Sequence, residues 1–268
     1  MDDLHIGQQD LYPLSLNQQN IWDVERACPA TSINHICTTL HIHGRVNFPL
    51  LQRSVNLVLS ADPSLRTRVT LRDKTPMQYQ APFQSELIPV YDFSQTSQDG
   101  IESWEQAFTR ESMPLLDAPL YRFVLLHTGE NSGCLVVKMH HLISDGWTQV
   151  LLCNRIGQCY LDMLSGRESD LGQIPGYETH IAEEAKYLSS SAYAKDEAYW
   201  QEVLERAGEP STLKSAHGAA ISPVGNRLTF ALPQDLNNEI YTFCMRRRVG
   251  ESRREPRPCP APTGLNWC

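Results

Sequence analysis

Residues 119–141 read PLYRFVLLHTGENSGCLVVKMHH, two apolar runs on either side of a short turn-forming stretch, TGENSG. This pattern predicts a β-hairpin. Along CLVVKMHH successive side chains alternate across the sheet. Leu135, Val137, Met139 and His141 share one face, and Val136, Lys138, His140 and Leu142 share the other. The two adjacent imidazoles therefore point to opposite sides, so only one can line a given cleft. The other belongs to the core and needs hydrogen-bond partners there. Directly afterwards, SDGWTQVLLCNRIGQCYLDMLSGR reads as an amphipathic helix that begins at Gly146 or Trp147 and is capped by Gly166. A rigid strand that ends where a helix starts presents its last residues at an open edge, where chemistry tends to sit.

The elements before the hairpin are equally legible. Ser15 is a helix N-cap with Gln18 in the capping-box position, and the first helix follows in LNQQNIWDVERA. INHICTTLHIHG alternates as a strand closed by Gly44. NFPLLQRSVNLVLSAD has its leucines and valines at helical spacing, and LRTRVTLRD and MQYQAP form two short strands around the turn Asp73–Pro76. GIESWEQAFTRESM is a further helix. Beyond a loop at 167–175, the stretch 177–208 is strongly helical with a break near Ser189–Ser191. RLTFALP and QDLNNEIYTFCMRRR then read as a strand and a helix. This is a mixed α/β order with strands that pair partly antiparallel.

Charge and cysteine usage narrow the function classes. The formal charge is −8, but six Arg against two Glu fall in residues 246–268, which leaves −12 on the first 245. An acidic body is a poor partner for a phosphate backbone, so no nucleic acid is expected. No apolar run reaches the ~20 residues that span a bilayer, and MDDLHIGQQD has neither the basic nor the apolar region of a secretory signal. The eight cysteines are scattered without a C-x-x-C pair, as expected of reduced, mostly buried thiols. The expectation is a cytoplasmic protein with no membrane partner. Residues 249–268 carry four prolines and almost no aliphatic side chains, so this tail is expected to be disordered or non-native.

Around the histidine pair, known metal and nucleophile patterns are missing. There is no H-E-x-x-H spacing for zinc, no G-x-S-x-G elbow, and no phosphate-cradling glycine loop. A neutral imidazole, with an ordinary pKa near ~6.5, is suited to accept a proton at pH 7. Asp145 reads either as the helix N-cap or as the partner of a buried Arg. Gly146 permits a backbone conformation or a close approach that a side chain would forbid.

MHHLISDGW at 139–147 resembles the His-His-x-x-x-Asp-Gly signature of the chloramphenicol-acetyltransferase-like superfamily, above all the version in nonribosomal peptide synthetase condensation domains. LSLNQQNIW at 14–22 resembles that family's opening S-x-A-Q-x-x-L-W, with Ser15, Gln18 and Trp22 in place. SLRTRV at 64–69 is similar to its second signature through Leu65, Arg66 and Thr67, although Ala61-Asp62-Pro63 replaces the expected R-H-E. YETHIAEE at 177–184 keeps Tyr177 of the fourth.

The resemblance implies an α/β fold, a chloramphenicol-acetyltransferase-like lobe with a mixed sheet flanked by helices, followed by a truncated second lobe. The expected boundaries are a leader at 1–10, the lobe at 11–207, a linker at 208–225, the start of the second lobe at 226–248, and the tail at 249–268. It implies that His141 is catalytic and faces a tunnel between lobes, with His140 its core-facing partner. Asp145 would pair with Arg66 in a buried ion pair, and Gly146 would lie near the reacting thioester. The implied reaction joins a donor acyl or peptidyl thioester to an acceptor aminoacyl thioester. Both ride on phosphopantetheine arms of carrier proteins, with an adenylation domain adjacent, no directly bound cofactor and no metal. By itself such a chain is expected to be inactive. The alternatives are a single-lobe CoA-dependent acyltransferase and an inactive fragment that docks carrier proteins.

Overall fold

The computed structural model describes residues 10–172, 174–208, 231–247 and 265–267. The predicted hairpin is its centre. Strand β6 (Tyr121–Gly129) pairs antiparallel with β7 (Ser132–His140), with a register irregularity between His127 and Gly129. Strand β2 (His35–His43) pairs antiparallel with β7 on the other side, so β7 is interior to the sheet. Interior position explains its composition: every residue from Gly133 to His140 is buried. β5 (Val90–Asp92) adds to β6 in parallel, and β8 (Leu265–Trp267) adds antiparallel to Leu40–Ile42 of β2. The order is β5-β6-β7-β2-β8, a mixed sheet.

Helices cover both faces, each attached by the alternation of the strands. Leu135, Val137 and Met139 pack on α2 (Phe48–Ala61) and α4 (Gly146–Leu164), through Leu51, Val55, Val58 and Leu59 of α2 and Leu152, Cys153, Ile156 and Cys159 of α4. Cys134 and Val136 turn the other way and meet Trp104 and Phe108 of α3 (Gln98–Arg110). Fully burying each such side chain contributes roughly 1.5–3 kcal/mol, so this three-layer core dominates stability. α4 ends as expected, with Gly166 at φ +69° and the N–H of Arg167 returning to Asp162 O.

A second, smaller sheet lies beside the first. β3 (Thr67–Arg72) and β4 (Thr75–Gln80) form a hairpin, and β1 (Tyr12–Pro13) pairs with β4. The turn Asp73–Lys74 has positive φ at both residues, the geometry that matches strand twist in two-residue hairpins. Helix α1 (Leu16–Ala27) starts from β1 with the complete capping box between Ser15 and Gln18, and its Trp22 packs with Leu14, Val69, Leu120 and Leu142.

The helical stretch after the loop is two helices, α5 (Tyr177–Leu188) and α6 (Ser191–Arg206), and α7 covers Gln234–Arg247. None of the three buries a residue, and Tyr199, Trp200, Leu204, Tyr241 and Phe243 are exposed. The strand expected at RLTFALP falls mostly outside the described residues, and its last three, 231–233, have no regular structure. Most of the linker and most of the tail also fall outside. Within the tail, Leu265–Trp267 forms β8, where disorder was expected; backbone pairing on an open strand edge does not require the aliphatic side chains in which the segment is poor. None of the six described cysteines is in a disulfide, and half of them (Cys134, Cys153 and Cys159) are buried. No described helix is long and apolar enough to cross a membrane.

Candidate active site

The end of β7 is gripped from both sides. The N–H of His140 donates to Leu120 O at 2.8 Å, and the next N–H, of His141, donates the opposite way to Asn34 O at 2.7 Å. Consecutive amides pointing apart set consecutive side chains apart. His140 goes into the core, 1% exposed, while His141 stands exposed.

His140 organises the turn that follows it. Its Nδ1 accepts the N–H of Leu142 at 3.1 Å, so the ring proton sits on Nε2. That nitrogen faces Glu25 Oε2 of α1 at 3.4 Å, too long and misaligned for a good hydrogen bond. A carboxylate so close favours an imidazolium, but burial outweighs it and, with His141 alongside, pushes the His140 pKa down to about 4. His140 is therefore neutral at pH 7. Its ring edge contacts His35 at 5.6 Å between centroids, and its carbonyl accepts from Ile143 N–H and Ser144 Oγ. Asn34 completes the cluster by donating to Glu25 Oε2 at 2.8 Å.

The turn leads into Asp145, which is the N-cap of α4. Its Oδ1 accepts from both the N–H and the hydroxyl of Thr148 at 2.7 Å, and these bonds hold the carboxyl below its ordinary range. The expected Asp145–Arg66 ion pair does not form. Arg66 instead donates to Leu59 O, Ser60 O and Asp62 O at the end of α2, and to Ala81 O. Each charge has found backbone partners close in sequence, so neither needs the other. Gly146 is the first helical residue with no positive φ, and a Cβ there would meet nothing within 4 Å. Its backbone does not require glycine, and a side chain there would meet open space.

His141 lines an open cleft of about 480 Å³, together with Asn17, Ile21, Ser144, Asp145 and Tyr177. The opposite wall is α1, and a buried amide pair fixes it there. Gln18 Nε2 donates to Gln78 Oε1 and to Leu142 O, while Gln78 Nε2 donates back to Gln18 Oε1 and to Pro13 O. Four pieces of chain meet at that pair: β1, α1, β4 and the turn after His141. The sequence pointed to Gln18 as a capping residue and as part of the opening signature but not to its partner, and nothing around Gln78 in a short strand singled it out. α5 closes one end of the cleft, with Tyr177 hydroxyl 3.2 Å from Ser15 Oγ and Glu184 accepting the N–H of Leu16.

The sequence matches the Condensation domain family over residues 8–250. The chain belongs to the condensation-domain family. Among curated proteins it is similar to surfactin synthase subunit 1 of Bacillus subtilis (strain 168), 28% identical over 89% of this chain and 7% of that protein. It is 26% identical to malpinin synthetase of Mortierella alpina over 91% of this chain and 3% of the relative. The chain thus spans under a tenth of these relatives. Its fold is that of solved condensation domains. The starter condensation domain of rhizomide synthetase RzmA superposes with a TM-score of 0.69 at 22% identity, over 75% of this chain and 49% of that one. The first condensation domain of the CDA synthetase gives 0.68 at 20%, over 77% and 53%. In this condensation fold the mixed sheet and its flanking helices agree with the architecture read from sequence, and the histidine pair sits where β7 runs out.

Proposed function

We propose that this chain supplies the histidine-bearing half of an amide-forming condensation site. The observation that carries the reading is the contrast between the paired imidazoles: His140 is locked neutral in the core, and His141 stands in an open cleft at a rigid strand end. The amine of an acceptor aminoacyl thioester attacks the carbonyl carbon of a donor acyl or peptidyl thioester. The C–N bond forms, the C–S bond breaks, and the thiol of the donor arm leaves. His141 holds the attacking amine and takes up its proton, which passes to the departing sulfur. An α-amine with a pKa near ~8 is partly unprotonated at pH 7, so orientation contributes as much as proton removal. The substrates reach His141 on phosphopantetheine arms of donor and acceptor carrier proteins. Gly146 keeps the entry to α4 clear for the thioester.

Because the cleft beside His141 is open, the site is complete only when a second wall covers it. Orientation and exclusion of water together account for roughly 7–11 kcal/mol of a bimolecular barrier, and an uncovered histidine provides little of it. The test is to mix the purified chain with donor- and acceptor-loaded carrier proteins, with and without the complementary half of a condensation domain, and to measure amide product by mass spectrometry. Product only when the second half is present is the expected result. Efficient turnover by the chain alone would overturn the two-wall account and favour an acyltransferase that completes its site by oligomerising.

A further inference from the structure

Most polar side chains around the cleft are already engaged with protein. Gln18 is closed into its pair with Gln78, Ser144 Oγ donates to His140 O, Asp145 and Thr148 bond each other, and the Tyr177 hydroxyl meets Ser15. Asn17 and Asn20 are different. Both line the cleft, both are exposed, and neither side-chain amide bonds to any described residue. They lie three residues apart on α1, a spacing that sets two side chains next to each other on one helix face, with roughly 5–6 Å between Cβ atoms. Ile21 continues that face as an apolar shelf.

The chemistry of this pair is specific. Each carboxamide offers an acceptor and two donors without charge. Two of them side by side match a secondary amide, which presents one N–H and one C=O. A hydrocarbon chain presents neither. Among the described residues no Lys or Arg lines the cleft and its one carboxylate is Asp145, so anionic groups are not favoured there. We infer that Asn17 and Asn20 form an amide-recognising subsite that selects neutral, amide-bearing thioesters and holds them beside His141. The thioester part rests on the condensation reading; the amide part rests on α1 alone. The amide can belong to the pantetheine arm or to a peptidyl-type acyl group, and both offer the same hydrogen bonds.

Asn17 stands where the opening signature S-x-A-Q has alanine, so Asn17→Ala makes no new demand on packing. Asn20 is exposed, and both substitutions leave the buried contacts of Ser15, Gln18 and Trp22 intact. The test is an NMR titration of the isotope-labelled full chain with three probes, following the His141 ring and the asparagine side-chain amides. Hexanoyl-pantetheine carries amides in the arm only, N-acetylleucyl methyl thioester carries one in the acyl group only, and hexanoyl methyl thioester carries none. At least one amide-bearing probe is expected to bind about tenfold tighter than the amide-free one, the effect of one or two net hydrogen bonds. The Asn17→Ala/Asn20→Ala double variant is expected to lose that preference while its affinity for hexanoyl methyl thioester stays the same. The probe that shows the preference identifies which amide is gripped. Equal binding of all three, no binding of any, or a preference that survives in the double variant would overturn the subsite. Its failure is separable from that of the condensation reading: amide product without the preference sinks the subsite alone, and the preference without amide product sinks the condensation reading alone.

Discussion

Acidification should weaken the strand end that carries His141, through His140. The folded His140 has a pKa pushed down to about 4 by burial, against an ordinary 6.5. At neutral pH both folded and unfolded chains hold it neutral, and it contributes nothing to pH dependence. As pH falls through 6.5 the unfolded chain takes a proton that the folded one refuses, so stability falls. The loss stops near pH 4, where the folded imidazole also protonates. Between about pH 7.5 and about pH 4.5 this one group removes roughly 2.5 kcal/mol. His35, half-buried beside it and likewise pushed down to about 4, acts in the same direction by a smaller, solvent-screened amount. Asp62, whose carboxyl burial pushes up, opposes it only at the acid end of the window. The assay is urea unfolding followed by tryptophan fluorescence across this range, for the natural chain and for His140→Asn. Asparagine can still accept from the Leu142 N–H but does not titrate, so the variant should be less stable at neutral pH and show a flatter profile. An unchanged slope in His140→Asn, or a flat profile in the natural chain, would refute the neutral buried imidazole.

Substitutions at three further residues probe the supports of the site. Asp145→Ala should cost about 1 kcal/mol, the value of an N-cap, and Asp145→Asn almost nothing; a loss of roughly 3–5 kcal/mol in either would revive the ion pair with Arg66. Lys138 is fully buried and its ammonium donates to Phe108 O and Glu111 O at the end of α3. Lys138→Met should therefore destabilise by about 2–3 kcal/mol and speed amide exchange in α3, whereas an unchanged midpoint would mean those carbonyls find other partners. Gln18→Leu leaves Gln78 and the Leu142 carbonyl without their partner and should cost about 2 kcal/mol in denaturant unfolding, with a cost near zero contradicting the role of the amide pair.

Much of this fold could be read from local pattern, and the gaps have physical causes. The hairpin, the capping box at Ser15 and Gln18, the strand at 35–43 and the helix after Gly146 are each dictated by periodicity or caps, signals that lie within a few residues. The opposite facing of His140 and His141 followed from strand alternation alone. β5 escaped notice because three exposed residues beside Pro89 carry no period of their own; a neighbouring strand edge defines them. Arg66 and Asp145 show the converse limit. Resemblance paired them, but a guanidinium next to a helix end and a carboxylate at a helix start each have closer backbone partners, and only three-dimensional distances reveal which partner wins. Gln78 and Glu25 were invisible for a similar reason, since their importance lies in what α1 and β4 bring to the back of the histidine turn.

The central claim is that His141, and not its neighbour, does the chemistry of amide formation. The most direct measurement is the initial rate of amide product from donor- and acceptor-loaded carrier proteins, read by mass spectrometry, with the chain joined by the complementary half of a condensation domain. His141→Ala is predicted to lower that rate by about 10²-fold or more, as expected for loss of a proton-handling and orienting group, while its unfolding midpoint stays close to that of the natural chain because the side chain is exposed. A His141→Ala protein that forms the amide at the natural rate would contradict the account.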